Sequence, residues 1–354
     1  MVDIFKLMDR AVEKNASDIH VSVGRHPVLR IHGELIDIEG TPVLSAEDTN
    51  RMARELVPER NFKELQEVGT TDFGYAYEDR ARFRVSAFRQ KGNYGLVMRL
   101  IPTELMSFED IGLPESVKSL LTKPRGLVLI TGPTGCGKTT TLATMLDWIN
   151  EHRDCHIVTI EDPIEFYHEH KKSQVTQREV GNDVPSFAEA MRRVLRQDPD
   201  VILLGEMRDL ETTSAAITAA ETGHLVFATL HTTGSARTVD RIIDQYPTNQ
   251  QEQIRAQLSV SIVAVISQLL LPRADMPGRI AAFEIMIMNS AIENHIRKGE
   301  SFKIHSAIQT NKRLGMLLLD DHLQDLVAEG CLAPKLALEC AQDQKMMSSR
   351  LLGE

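Results

Sequence analysis

The chain has 354 residues, a formal net charge of −10 and 42% hydrophobic residues. That length suits two ordinary domains, each with a core of its own. The acidic balance argues against general nucleic-acid binding, which draws on a basic patch or stripe.

The first ten residues carry early charges and no long apolar run, so no signal peptide is expected. Ile4 to Ala16 reads as a helix with Phe5, Met8 and Val12 on one side. Ile19 to Val23 and Pro27 to His32 read as short strands joined at Gly24, and a second turn follows at His32-Gly-Glu-Leu. His20, His26 and His32 recur at even spacing, but no acid or cysteine pattern supports a metal site there. Ala81-Arg-Phe-Arg-Val-Ser-Ala-Phe-Arg89 alternates apolar and basic residues. With Tyr94 to Leu100 it predicts an antiparallel hairpin around Lys91-Gly-Asn93. Residues 101–124 contain Pro102, Pro114 and Pro124 and read as a linker around one short helix.

From Gly126 onward the pattern changes. Apolar runs at 127–131, 156–160, 201–204 and 225–230 alternate with helical stretches, which predicts a parallel sheet buried on both faces. After the first run come Gly132, Pro133, Thr134, Gly135, Cys136, Gly137, Lys138, Thr139 and Thr140, and then a helical segment. Strand, glycine-rich loop and helix in that order form the setting of a phosphate-binding P-loop. Gly132, Gly135 and Gly137 let backbone N–H groups turn around a phosphate. Lys138 reaches the β- and γ-phosphates, Thr139 holds Mg²⁺, and the helix presents the positive end of its dipole. ATP and Mg²⁺ are the expected ligands. Cys136 stands beside that helix start, where a lowered thiol pKa is expected. The four cysteines include no C-x-x-C pair, so neither a zinc site nor a disulfide framework is expected.

Hydrolysis also needs acids placed near the phosphates. Val201 to Leu204 reads as a buried strand, and Glu206 emerges just past its end, where a carboxylate for Mg²⁺ belongs. Val158-Thr-Ile-Glu-Asp-Pro-Ile-Glu165 ends another strand with Glu161, Asp162 and Glu165, and Glu165 could orient the attacking water. His231 closes the run at 225–230 on the same edge as Glu206 and could sense the γ-phosphate, whereas His224 reads as structural. Ser186 and Glu189 form a capping-box pattern before a helix that carries Arg192, Arg193 and Arg196. Those arginines are either a solvated face or a contact for phosphate or an acidic neighbour. Val260 to Leu271 is too short for a membrane span and reads as a buried core helix, and residues after about Met288 are mainly helical.

On these residues the chain resembles the secretion ATPase (GspE/PilT) superfamily, and within it the PilT family of type IV pilus retraction ATPases. The resemblance rests on Ala16-Ser-Asp-Ile-His20, the basic hairpin strand, the Walker A loop, Thr159-Ile-Glu-Asp-Pro-Ile-Glu165, Gly205-Glu-Met-Arg-Asp209 and Thr229-Leu-His-Thr-Thr233. It implies an α/β fold: a RecA-like P-loop core over residues 125–354, preceded by a smaller α+β PAS-like domain over residues 1–100. It also implies catalytic roles for Glu165, Glu206, His231 and Lys138, Mg²⁺ at Thr139 and Glu206, and arginines at Arg82, Arg84, Arg89 and Arg99 directed at nucleotide. The implied assembly is a homohexamer at the cytoplasmic face of the inner membrane, working on a pilus platform protein and indirectly on pilin, with no nucleic acid. Assembly and secretion motors of the superfamily are the near alternative; they carry a tetra-cysteine insertion and a longer N-terminal extension, neither of which is expected here. Retraction motors carry Ala-Ile-Arg-Asn-Leu-Ile-Arg-Glu, where this chain has Ala291-Ile-Glu-Asn-His-Ile-Arg-Lys298. A RecA-like nucleic-acid motor is the more distant alternative.

Overall fold

The computed structural model describes residues 2–31, 33–78, 80–101 and 105–352. The chain forms two compact units. Met1–Glu104 and Pro163–Tyr167 make the first; Leu105–Asp162 and His168–Glu354 make the second.

In the first unit, α1 (Ile4–Glu13) is capped by Asp3, whose Oδ1 accepts the Phe5 N–H at 2.9 Å. Strands β1 (Asp18–Val21), β2 (Val28–Ile31) and β3 (Glu34–Asp37) follow, then helices α2 (Ala46–Leu56) and α3 (Glu59–Glu67). Ser45 and Asp48 cap α2 reciprocally. Strands β4 (Thr70–Tyr77), β5 (Ala81–Gln90) and β6 (Asn93–Ile101) complete an antiparallel sheet in the order β3-β2-β1-β6-β5-β4. The expected hairpin is β5–β6. Lys91 and Gly92 both have positive φ between the paired Gln90 and Asn93, the turn that matches strand twist. Phe83, Val85 and Ala87 point into the core by the period of two. Of the three spaced histidines, His32 and its share of the expected turn lie outside the described residues, as does Pro102. His26 Nδ1 lies 2.6 Å from Thr41 O.

The second unit opens with a short turn and α4 (Lys118–Leu121), where the linker helix was expected. Then come β7 (Gly126–Thr131), α5 (Lys138–His152), β8 (His156–Glu161), β9 (Gln174–Glu179), α6 (Phe187–Val194), β10 (Val201–Leu204), α7 (Leu210–Glu221), β11 (Leu225–Leu230), α8 (Ser235–Ile243) and α9 (Gln251–Ser261). Strands β12 (Ile262–Pro272) and β13 (Arg279–Ile287) follow, and the chain closes with α10 (Ser290–Arg297), α11 (Ile304–Thr310), α12 (Leu319–Ala328), α13 (Pro334–Cys340) and α14 (Gln344–Leu352). The sheet order is β13-β12-β7-β11-β10-β8-β9. All pairs are parallel except β12–β13. Strands β7, β10 and β11 are buried at every residue, as the runs of apolar residues require.

Of the expected helix over Val260 to Leu271, only Val260 and Ser261 are helical, as the end of α9; the rest is strand β12. A mostly apolar run carries no clear period, and the β-branched Ile262, Val263, Val265 and Ile266 prefer a pleated, buried place beside β7. The Ser186 cap forms, with Glu189 N–H donating to its Oγ at 3.2 Å, while the Glu189 carboxylate accepts from Arg193 Nε at 2.6 Å. Arg192 pairs with Glu211 of α7 within the chain. His224 is structural, with Nδ1 3.0 Å from Ala219 O. Among the described residues no helix is long and apolar enough to cross a membrane.

Helix α12 is fixed to β13 by His322, whose Nδ1 accepts the Phe283 N–H at 2.9 Å. That bond requires neutral imidazole. Burial is the largest influence on the ring and lowers its pKa below 6.5, against the upward pull of Asp325. Below pH 6.5 the folded state therefore binds fewer protons than the unfolded one, and stability falls as pH falls. His168 is shifted the same way by burial. The melting temperature should drop on acidification through this window. Asn at 322 supplies an acceptor that does not titrate, so a His322→Asn variant should show a shallower drop in the same melting series.

Candidate active site

The carboxyl end of β7 delivers the chain into the loop Gly132–Gly137. Gly132, at φ 140°, runs so close to β12 that a Cβ there would lie 2.3 Å from Gln268 O. Gly137 begins α5 in the left-handed region, at φ 89° and ψ 19°, and no side chain caps the helix. The first-turn N–H groups of α5 thus stay available to an anion. Pro133, Thr134 and Gly135 are exposed, and Thr139 and Thr140 are half-buried. Lys138 is only 9% exposed, and its Nζ donates to Gly132 O at 2.8 Å and to Pro133 O at 3.1 Å. The ammonium therefore lies within the curve of the loop. An uncapped helix start, a loop whose Gly132 admits no Cβ and a held ammonium fit the phosphates of a nucleotide.

Cys136 departs from expectation. Its side chain is buried, and that burial raises the thiol pKa, outweighing the positive charge of Lys138. The sulfur packs beneath the loop, 2.7 Å from where a Cβ on Gly132 would stand. Burial thus disfavours the thiolate there.

The loop rests on a residue that the motifs did not reveal. Gln268 of β12 is 2% exposed, donates Nε2–H to Cys136 O at 2.6 Å and accepts the Thr141 hydroxyl at 2.9 Å. It thereby ties the P-loop and the first turn of α5 to the neighbouring strand. The sequence signal is Ser267-Gln268, two polar residues inside an apolar run. Gln268→Ala should strand both partners, and about 1–3 kcal/mol per unsatisfied buried group predicts a KM for ATP raised roughly tenfold. Steady-state kinetics would check this.

Strands β7, β11 and β10 are neighbours, so their carboxyl ends bring the P-loop, His231 and Glu206 to one edge. Glu206 Oε1 lies 2.9 Å from His231 Nε2, and Glu206 Oε2 lies 2.7 Å from Arg208 Nε. Met207 N–H donates to Thr229 O at 3.1 Å, and Thr229 Oγ1 donates to Gly205 O, which fixes the two strand ends together. A cavity of about 210 Å³ opens here, lined in part by Glu206, Arg208, His231, Thr232, Arg241 and Gln245. Asp209 caps α7 by accepting the Thr212 N–H at 2.8 Å.

The acidic box is divided. Glu161 ends β8, is buried, and accepts from Thr159 Oγ1 at 2.6 Å and Gln177 Nε2 at 3.2 Å. Glu165 lies past the end of β8, in the segment Pro163–Tyr167 that belongs to the first unit. The expected edge gathers Glu206 and His231. Within its own unit Glu165 Oε1 lies 4.0 Å from Arg84 Nη1, and the Arg82 guanidinium stands 3.7 Å over the Tyr167 ring. Arg99 is directly opposite Arg84 in the β5–β6 register and donates Nε–H to Asp18 Oδ1 at 3.0 Å. Arg82, Arg84 and Arg99 thus share one sheet face. Arg89 has the opposite parity and sits by the turn, bonded through its N–H to Gly69 O at 2.8 Å.

The model of the type II/IV secretion system protein family matches residues 2–330. The type IV pilus retraction ATPase PilT of Pseudomonas aeruginosa is 47% identical over 341 residues, 96% of this chain and 98% of that protein. A twitching motility protein of Neisseria gonorrhoeae is 47% identical over 91% of this chain and 86% of its own length. A crystal structure of the pilus retraction motor PilT with bound ADP superposes with a TM-score of 0.92 at 43% identity, covering 98% of this chain and 99% of that one. The chain, with its P-loop on β7 and its paired Glu206 and His231 on the same sheet edge, belongs to the type II/IV secretion system protein family.

Proposed function

We propose that the chain is an ATP-hydrolysing motor that drives type IV pilus retraction. The observation that carries this reading is the sheet edge on which Lys138 and the Glu206–His231 pair emerge from three adjacent parallel strands. The similar PilT structure holds ADP, which supports a bound nucleotide in this reading. In this reading Lys138 neutralises the β- and γ-phosphates, and the α5 N–H groups orient them. Thr139 and Glu206 would hold Mg²⁺, Glu206 through water. When bound, the ion neutralises charge developing on the transferred phosphoryl group. Glu165 is the base that orients the attacking water, and His231 reads the γ-phosphate through its bond to Glu206. Arg82, Arg84, Arg89 and Arg99 are the cations that a neighbouring copy supplies to the transition state.

The first unit is then the PAS-like domain and the second the RecA-like core, with residues 101–124 as linker. Six copies form the ring. It works at the cytoplasmic face of the inner membrane on a platform protein, so that pilin leaves the fibre. The altered segment in α10 is accommodated locally, since Glu293 pairs with Arg297 one turn on. The test joins two measurements: ATP turnover by the purified hexamer and the piliation of a deletion strain. Hyperpiliated, non-twitching cells are expected, whereas bald cells would assign the chain to pilus assembly.

A further inference from the structure

Glu284 is a carboxylate 3% exposed in the middle of β13, and none of the motifs above uses it. Its Oε1 accepts the N–H of Ser235, the first residue of α8, at 2.6 Å. Its Oε2 accepts Nε2–H of Gln342 at 2.8 Å. Directly opposite on β12, Ser267 Oγ accepts the Gly234 N–H at 2.9 Å. Helix α8 has no side-chain cap from its own N-cap residue, so the two strands supply that cap in its place. The loop they grip runs back through Thr232, which bonds Thr238 of α8 at 2.7 Å, to His231. On the other side, Gln342 stands in the turn between α13 and α14. Asp320 of α12 fixes that turn by accepting the N–H groups of Gln342 and Asp343 at 2.7 and 2.9 Å. Gln342 itself is exposed, so a surface amide holds a buried carboxylate in place.

We infer that Glu284 is a positioning residue for hydrolysis, tying the C-terminal helices, through Gln342, to the loop that sets His231 against Glu206. The inference rests on the ATPase reading above. A buried carboxylate with one oxygen unpartnered is costly, so loss of Gln342 draws Glu284 off Ser235 and releases the loop. Whatever shifts the α13–α14 turn would then lower turnover without touching the nucleotide.

The test is Gln342→Glu, which sets one carboxylate against another. Its kcat should fall on the order of fivefold while the KM for ATP stays within about twofold. Amide exchange over residues 229–238 should rise in nucleotide-free protein. The double variant Glu284→Gln with Gln342→Glu should restore both. Its amide at position 284 donates to the carboxylate introduced at position 342, and its amide oxygen accepts the Ser235 N–H. Unchanged kcat in the single variant, a KM raised as much as kcat falls, or a loss that the double variant does not repair overturns the inference. Absence of turnover in the wild-type protein would count against the ATPase reading instead, whereas the exchange comparison tests the coupling in either case.

Discussion

Lys138→Ala should lower ATP turnover on the order of a hundredfold or more, the scale for removing one preorganised charge from a phosphoryl-transfer site. The side chain is placed for this by the loop itself. Its Nζ is held by Gly132 O and Pro133 O, inside the loop, so little reorganisation separates that position from contact with a phosphate. Alanine leaves the glycine turns and the uncapped α5 start intact. The variant should therefore still fold, with a melting temperature near that of the parent, while nucleotide affinity falls. A turnover assay and a nucleotide titration together check the prediction. Full turnover in this variant would remove the P-loop from the mechanism.

Glu206→Gln should separate binding from chemistry. The substitution preserves shape but removes the charge that pairs with Arg208 and His231. ADP affinity should change little, because the loop and Lys138 are untouched. Turnover should fall roughly a hundredfold, within the range for a lost acid–base or charge-positioning group. A parallel fall in ADP affinity would show that Glu206 supports the loop rather than the reaction.

Much of the second unit was legible in sequence because its strands are short, wholly apolar and separated by helical periodicity. The P-loop, Glu206 and His231 could be placed on one edge from strand ends alone. Other features were not legible. The run Val260 to Leu271 has no period, so composition could not tell strand from helix until its pairing with β7 decided it. Gln268 acts by position beside the loop, 132 residues from its acceptor Cys136 O, and no local pattern encodes that contact. Cys136 sits at a helix start that favours thiolate, yet packing around the sulfur prevails. In the first unit, β3 is exposed at every residue and so lacks the alternation that marked β5. The divided acidic box was also hidden, since only the folded chain assigns Pro163–Tyr167 to the first unit.

That five-residue segment limits how the chain can be taken apart. A fragment beginning at Leu105 would still carry Ile164 and Phe166, which are 4% and 8% exposed in the whole protein, without the body of the unit to which they belong. Exchanging the N-terminal unit for another by recombination at the linker would leave Glu165 facing an unmatched scaffold, so the acid and the arginine face must be inherited together.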